Sequence, residues 1–280
     1  MSKRAGYRGD EGDGMDLGLS DRVYVVTGAG RGLGRACAIQ LAGEGARLVL
    51  TDRDQGALSA VAAGVGGPER AIAISGDLAE SGFETCLTAA AVARYGRLDG
   101  SVICPDDVET GSLAATADET WRAGFEGTFL GPIRLARSVA RNVSVEGGSV
   151  LFVLGRSARQ PLANRAVANG LVPGVAMAAR GLAGELGPRN IRVNLLIPGH
   201  CESEVGQPGA AHRGAGDLRE DQESVLTHEQ ARREAEDAVP LRRFGEALEF
   251  ARPAVFLLSP AASYVTGSVL VVDGGLSRSL

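Results

Sequence analysis

The chain alternates short apolar runs with longer amphipathic stretches almost to its end. Residues 23–27 (VYVVT), 48–51 (LVLT), 71–75 (AIAIS), 101–104 (SVIC), 149–154 (SVLFVL), 192–197 (RVNLLI) and 268–272 (SVLVV) are short and rich in Val, Ile and Leu. Such runs lack a polar face and predict strands buried on both sides. Between them, 84–95, 118–141, 172–187 and 246–258 carry apolar residues at helical spacing, as does RACAIQLAGEGA from Arg35. Strand and helix in turn predict an α/β fold: a doubly wound parallel sheet of about seven strands with helices on both faces. A ligand is expected at the carboxyl ends of the strands, where strand order reverses between the first and the fourth.

Two stretches depart from the alternation. Residues 1–14 are Gly-rich and charged without periodicity, and a disordered tail is expected there, leaving 15–280 as one domain. Residues 199–240 hold no strong strand. Their first half (QPGAAHRGAGD) is loop-like, and their second (REDQESVLTHEQARREAED) predicts a polar helix with Glu and Arg at i,i+4 spacing. A long excursion of this kind predicts a lid or substrate loop.

Composition narrows the function. With 44% hydrophobic and 22% charged residues, 280 residues suffice for one full-sized core. A net charge of −5 without a basic stripe argues against nucleic acid, and 4% aromatic residues argue against base stacking. No uninterrupted apolar run approaches the ~18 residues of a membrane span, and no signal-peptide pattern is visible, so a cytoplasmic location is expected. Cys37, Cys86, Cys104 and Cys201 are scattered, and His200, His212 and His228 form no zinc pattern, so no metal site is expected. The cysteines read as reduced thiols that mostly fill the core.

The chemistry begins at residues 27–34, TGAGRGLG, directly after the first strand and opening a helix. Gly28 permits a tight turn, Gly32 lets the backbone approach a pyrophosphate, and Gly34 lets the helix pack closely on the strand. With Arg31 and Leu33 they form a dinucleotide cradle, in which a helix N-terminus offers N–H groups and a positive dipole to phosphates. Glycines after a strand can also form an ordinary loop. Asp52 ends the second strand near the ~20-residue offset at which a carboxylate binds the adenosine ribose, although a strand-end turn uses the same residue. A carboxylate there repels a 2′-phosphate, while Arg53 and Arg31 favour one. NAD is therefore the favoured cofactor, with NADP the alternative.

The chain resembles the short-chain dehydrogenase/reductase family over about residues 15–280. The resemblance is carried by TGAGRGLG, Asp77-Leu78, ELGPRNIRVNLLIPG at 185–199, PLRRFGEALEFA at 240–251 and YVTGSVLVVDGG at 264–275. It implies a single-domain Rossmann fold, an adenine contact at Asp77 beside Leu78, and the Pro198-Gly199 turn beside the nicotinamide. It also implies a proton-donating Tyr, a Lys four residues on that lowers its pKa and holds the nicotinamide ribose, a Ser that orients the substrate carbonyl, and a helical Asn.

In this chain those positions fall at Ala168, Val172, Gly155 and Gly124. The only lysine is Lys3. Ile103-Cys104-Pro105-Asp106 replaces the family's N-N-A-G. RSARQPLANRAVANGLV at 156–172 also resembles a divergent branch with Ser and Arg at the Tyr and Lys positions, but neither is present. The replacement candidates are Ser157, Asp106 and Asn169, with Arg156, Arg165, Asn164, His200 and Cys201 near the same pocket. Ser157 faces the same side as position 155 if the chain stays extended.

Three readings follow: an oxidoreductase with an altered centre, a non-catalytic cofactor-binding protein or silent subunit, and a non-redox enzyme using the same pocket. The resemblance implies a small-molecule substrate or ligand. It also implies a homodimer or homotetramer formed through helices 118–141 and 172–187, with the terminal LSRSL at a further interface.

Overall fold

The structure is a computed structural model that describes residues 16–105, 110–202 and 228–278. The expected tail at 1–14, most of the 199–240 excursion and the candidate Asp106 lie outside those residues.

The first half of the chain forms β1 (Val23–Thr27), α1 (Gly32–Gly43), β2 (Arg47–Asp52), α2 (Gln55–Gly64), β3 (Ala71–Ser75), α3 (Phe83–Tyr95) and β4 (Gly100–Ile103). Then come α4 (Asp118–Gly124), a π-helical segment (Phe125–Leu130), α5 (Gly131–Asn142), β5 (Gly148–Val153), α6 (Ala166–Leu186) and β6 (Ile191–Pro198). The last described elements are β7 (Cys201–Glu202), α7 (His228–Ala238), β8 (Gly245–Glu246), α8 (Ala247–Leu258) and β9 (Val269–Val272).

Seven strands form one parallel sheet in the order β3-β2-β1-β4-β5-β6-β9. The fold is thus the expected doubly wound α/β sheet. Val25 of β1 lies between Val49 of β2 and Ser101 of β4, and β1 is buried along its whole length. Side chains that alternate across the sheet feed two apolar layers. On one face Leu48, Leu50 and Val102 pack with Leu33 and Leu41 of α1, Leu58 of α2 and Phe250 and Val255 of α8. On the other, Val25, Val49 and Phe152 pack with Leu87 of α3, Leu135 and Val139 of α5 and Val175 of α6. The chain runs outward from β1 to β3 and returns to β4 beside β1, so the reversal opens a crevice at the carboxyl ends of β1 and β4.

Three expectations are corrected in detail. The helix expected at 118–141 is helical throughout but passes through the π segment at 125–130. The helix expected from 172 begins at Ala166, with Pro173 in its interior. Residues 201–202 and 245–246 form a short parallel ladder that was not expected.

Among the described residues one helix, Ala166–Arg189, is long and apolar enough to cross a membrane by length and composition, with a mean hydropathy of 1.2. Arg180 interrupts it, and Val172, Val175, Ala179 and Ala183 pack against the sheet as core-helix residues do. Of the four cysteines, all free, Cys37 and Cys201 are buried and Cys104 partly so, while Cys86 is exposed rather than core filler.

Candidate functional site

The turn between β1 and α1 has the geometry its glycines allow. Gly28 and Gly32 have φ of +62° and +54°, where a side chain is strained. A Cβ on Gly34 would lie 2.2 Å from the Gly28 carbonyl oxygen, so the helix rests directly on the turn. Arg31 stands at the N-cap of α1 and is exposed, and no side chain caps the helix. The first N–H groups of α1 are therefore left to a ligand or to water. Leu33 turns its side chain into the core, so its contribution to the cradle is its backbone.

One cleft runs across the carboxyl ends of four neighbouring strands. Thr27 and Gly28 line it from β1, Thr51, Asp52 and Arg53 from β2, Gly76, Asp77 and Leu78 from β3, and Cys104 from β4. Gly127 of the π segment closes it. The cleft thus gathers Gly28, Asp52, Arg53, Asp77 and Leu78 from the sequence candidates. Pro198 and Gly199 lie apart from it, at the end of β6. The Gly199 N–H donates to the Val272 carbonyl at 2.9 Å, and a Cβ there would come within 2.5 Å of Asp273.

Asp52 is held rather than free to swing. It accepts from the Gly30 N–H at 3.2 Å and from the Asp54 N–H at 3.3 Å. A Cβ on Gly30 would stand 3.1 Å from its carboxylate, so glycine there lets the acid approach the turn. Asp77 accepts from the Ala79 N–H at 2.8 Å. The Thr27 hydroxyl accepts from the Cys104 N–H at 2.8 Å and donates to the Cys104 carbonyl at 3.1 Å, joining the ends of β1 and β4. Burial, and then the Asp52 charge, push the Cys104 thiol up to about 12.

Sequence reading missed Thr27, Thr51, Gly76, Cys104 and Gly127 as parts of this cleft. Thr27 lies inside the motif and was legible in principle. Gly127 lines the cleft only through tertiary packing.

The expected proton-transfer face carries no ionisable group at its key positions. Ala168 and Val172 lie one turn apart on α6, 3% and 6% exposed, in the apolar cluster that holds Phe152, Leu154 and Val175. Among the described residues, a Cβ on Gly155 would meet only the Ser157 Oγ, at 3.7 Å. The extended path expected past 155 is not kept. Residues 156–158 form a 3-10 turn, closed by the Ala158 N–H on the Gly155 carbonyl at 3.0 Å. Ser157 is 5% exposed, and the turn rather than strand alternation brings its hydroxyl near position 155.

The Asn169 amide is already engaged. It accepts from the Leu162 N–H at 2.9 Å and donates to the Leu162 carbonyl at 2.7 Å, pinning the loop before α6. Gly124 is the buried last residue of α4. Arg156 and Arg165 are buried, and Arg165 leads into α6. His200 is buried with its ring stacked on Phe244, centroids 5.2 Å apart, and Cys201 lies in β7.

Comparison with known proteins agrees with this fold. A family model described as "Enoyl-(Acyl carrier protein) reductase" matches residues 28–277. The chain is 32% identical over 259 residues to the short-chain reductase protein NovJ of Streptomyces niveus, covering 91% of this chain and 94% of that one. It is 32% identical over 278 residues to an L-rhamnose 1-dehydrogenase (NAD(P)(+)) of Azotobacter vinelandii, covering 94% and 99%. Among solved structures, L-sorbose reductase from Gluconobacter frateurii, complexed with NADPH and L-sorbose, superposes with a TM-score of 0.84 at 27% identity, covering 95% of this chain and 100% of that one.

Proposed function

The chain belongs to the short-chain dehydrogenase/reductase family, and on that basis we propose that it is an oxidoreductase that binds a nicotinamide dinucleotide and acts on a small molecule with an altered proton supply. The observation that carries the reading is one cleft that joins the glycine turn, Asp52 and Asp77, next to an α1 N-terminus without a side-chain cap. These residues fit the group. The N–H groups of α1 would hold the pyrophosphate, Asp52 the adenosine ribose and Asp77 with Leu78 the adenine. Bound there, the dinucleotide supplies hydride transfer.

We favour NAD over NADP because Asp52 is fixed by two backbone N–H groups at the cleft and would meet a 2′-phosphate with a like charge. Arg31 and Arg53, both exposed, pull the other way. The NADPH bound by L-sorbose reductase is a property of that protein.

Carbonyl reduction needs a proton, and Gly155, Ala168 and Val172 supply none. Ser157 is the hydroxyl nearest position 155, so it is the first group to test for orienting a carbonyl. Loss of general acid catalysis costs ~10²–10⁴-fold in rate, so turnover should be slow even with the cofactor held well.

Calorimetric titration with NAD(H) and NADP(H) tests the reading. The expected result is tighter binding of NAD(H), with the preference relaxed in Asp52→Ala. Failure of both cofactors to bind at millimolar concentration would refute it.

A second reading, a non-catalytic cofactor or ligand sensor or a silent subunit, draws on the apolar packing of Ala168 and Val172. NADH binding with no NADH oxidation over a panel of ketones would favour it over the first. A non-redox enzyme would instead convert substrate without net cofactor turnover. The proposal includes a homodimer or homotetramer, supported by exposed Phe125 in the π segment and Met177 on α6. A monomer in light scattering would rule that part out.

A further inference from the structure

The far wall of the nucleotide cleft is held by an ion pair that the cleft residues do not include. Arg134 of α5 donates from Nη2 to the Ala79 carbonyl at 2.9 Å and more weakly to the Leu78 carbonyl at 3.3 Å. The same nitrogen meets Glu126 Oε2 of the π segment at 3.0 Å. The Arg134 side chain is only 15% exposed, against 45% for Glu126. Residues 77–79 carry Asp77 and Leu78, and Gly127, the neighbour of Glu126, faces the same cleft.

The approach between the two segments is close. A Cβ on Gly131 would stand 2.4 Å from the Leu78 carbonyl oxygen. The π segment and the start of α5 therefore rest against the turn after β3, and Arg134 grips that turn by its carbonyls. The Arg134 Nε is buried without a hydrogen-bond partner.

We propose that Glu126 and Arg134 clamp the turn at 77–79 against the π segment, making Arg134 a positioning residue for the adenosine half of a bound dinucleotide. The clamp rests on the proposed cofactor reading. It acts by preorganisation: a wall fixed before binding spares the ligand the cost of ordering it.

The test compares the full-length protein with Arg134→Met, Arg134→Lys and Glu126→Gln. Calorimetry gives Kd for ADP-ribose and for NADH, and thermal unfolding is read in the same buffer. Arg134→Met should weaken both ligands alike by about tenfold, the weight of one charge-assisted hydrogen bond. Its melting temperature should fall by only a few degrees, because Glu126, the partner left behind, is half exposed and can be solvated by water. Arg134→Lys should recover part of the affinity, and Glu126→Gln should lose less than Arg134→Met.

Wild-type affinity in a folded Arg134→Met protein overturns the clamp and leaves the cofactor reading intact. If Arg134→Met does not fold, Glu126→Gln at its half-exposed site decides, and unchanged affinity there overturns the clamp. A wild-type protein that binds neither ligand overturns the cofactor reading and the clamp together.

Discussion

Gly34→Ala and Gly43→Ala add the same methyl group to the same helix, and they should move stability in opposite directions. Helix propensity alone favours both by ~1 kcal/mol. Gly43, the last residue of α1, has nothing within 4 Å of the added Cβ. That variant should keep a gain of ~0.5–1 kcal/mol. At Gly34 the methyl would lie 2.2 Å from the Gly28 oxygen and 2.7 Å from the Thr27 oxygen, where ordinary contact starts at 3.4 Å. Both obstacles are backbone, so no side chain can swing away, and α1 must retreat from the turn. Overpacking costs ~1–3 kcal/mol, and backbone obstacles place this site at the upper end. Set against the propensity gain, the net loss is ~2 kcal/mol, a drop of about 4–8 °C in melting temperature for a domain of this size. Urea or thermal unfolding followed by the single tryptophan, Trp121, reads both variants. Gly34→Ala should also weaken NADH binding, because the retreat widens the pyrophosphate turn. A Gly34→Ala protein as stable as Gly43→Ala would refute the close-approach argument.

The other predictions concern thiols, acid and the missing triad. At pH 8 a maleimide should label the native protein at exposed Cys86 alone. Burial pushes the thiols of Cys104 and Cys201 up to about 12 and about 11 and raises Cys37 as well. Mass spectrometry of the labelled peptides checks the point. The Glu249 carboxyl is held down to about 2, first by the Arg243 guanidinium and then by the Glu246 N–H. A depressed carboxyl stabilises above its ordinary range near ~4.3 and loses that contribution as pH falls toward the folded value. Glu249→Gln should therefore flatten the fall in melting temperature between about pH 4.5 and 2. Gly155→Ser, Ala168→Tyr and Val172→Lys together should raise NADH-dependent reduction of an activated ketone, and the single changes should do little because such residues act as a unit.

How far the chain could be read without coordinates depends on the range of the interactions involved. Buried strands announce themselves in sequence, because a run such as VYVVT has no polar face to give it another place. Observed strand ends fall within a residue or so of expectation. Asp77 was picked out through the family resemblance alone, whereas the glycine turn and the place of Asp52 at a strand end were legible from local chemistry. The early start of α6 was not, since Pro173 suits a first helical turn yet is carried inside a longer helix. The π segment leaves no trace in apolar spacing. Ser157 was expected to follow strand alternation, but the chain turns at once after Gly155. The grip of Arg134 on Leu78 and Ala79 spans more than fifty residues, and no local pattern records it.

The two halves of the site differ in what they retain. On the side proposed to take the adenosine each acid has backbone partners: Asp52 binds the turn N–H of Gly30, Asp77 binds the Ala79 N–H, and Arg134 holds the Ala79 carbonyl. On the opposite side the positions expected to carry a phenol and an ammonium are Ala168 and Val172, and the two suit each other for a physical reason. An ammonium buried in an apolar cluster without a phenol or ribose to meet it would be driven to lose its charge. Beside Ala168, an apolar residue such as valine avoids that cost. The same logic explains why a lone Val172→Lys should do little: it would place a charge among Phe152, Leu154 and Val175 with no partner. Gly155 is different. Among the described residues a Cβ there meets the Ser157 hydroxyl alone, at ordinary contact distance, so the first added atom is accommodated. Adding Gly155→Ser to the paired changes at 168 and 172 therefore tests carbonyl orientation, while the paired changes alone test proton supply together with whether that apolar face can be rebuilt.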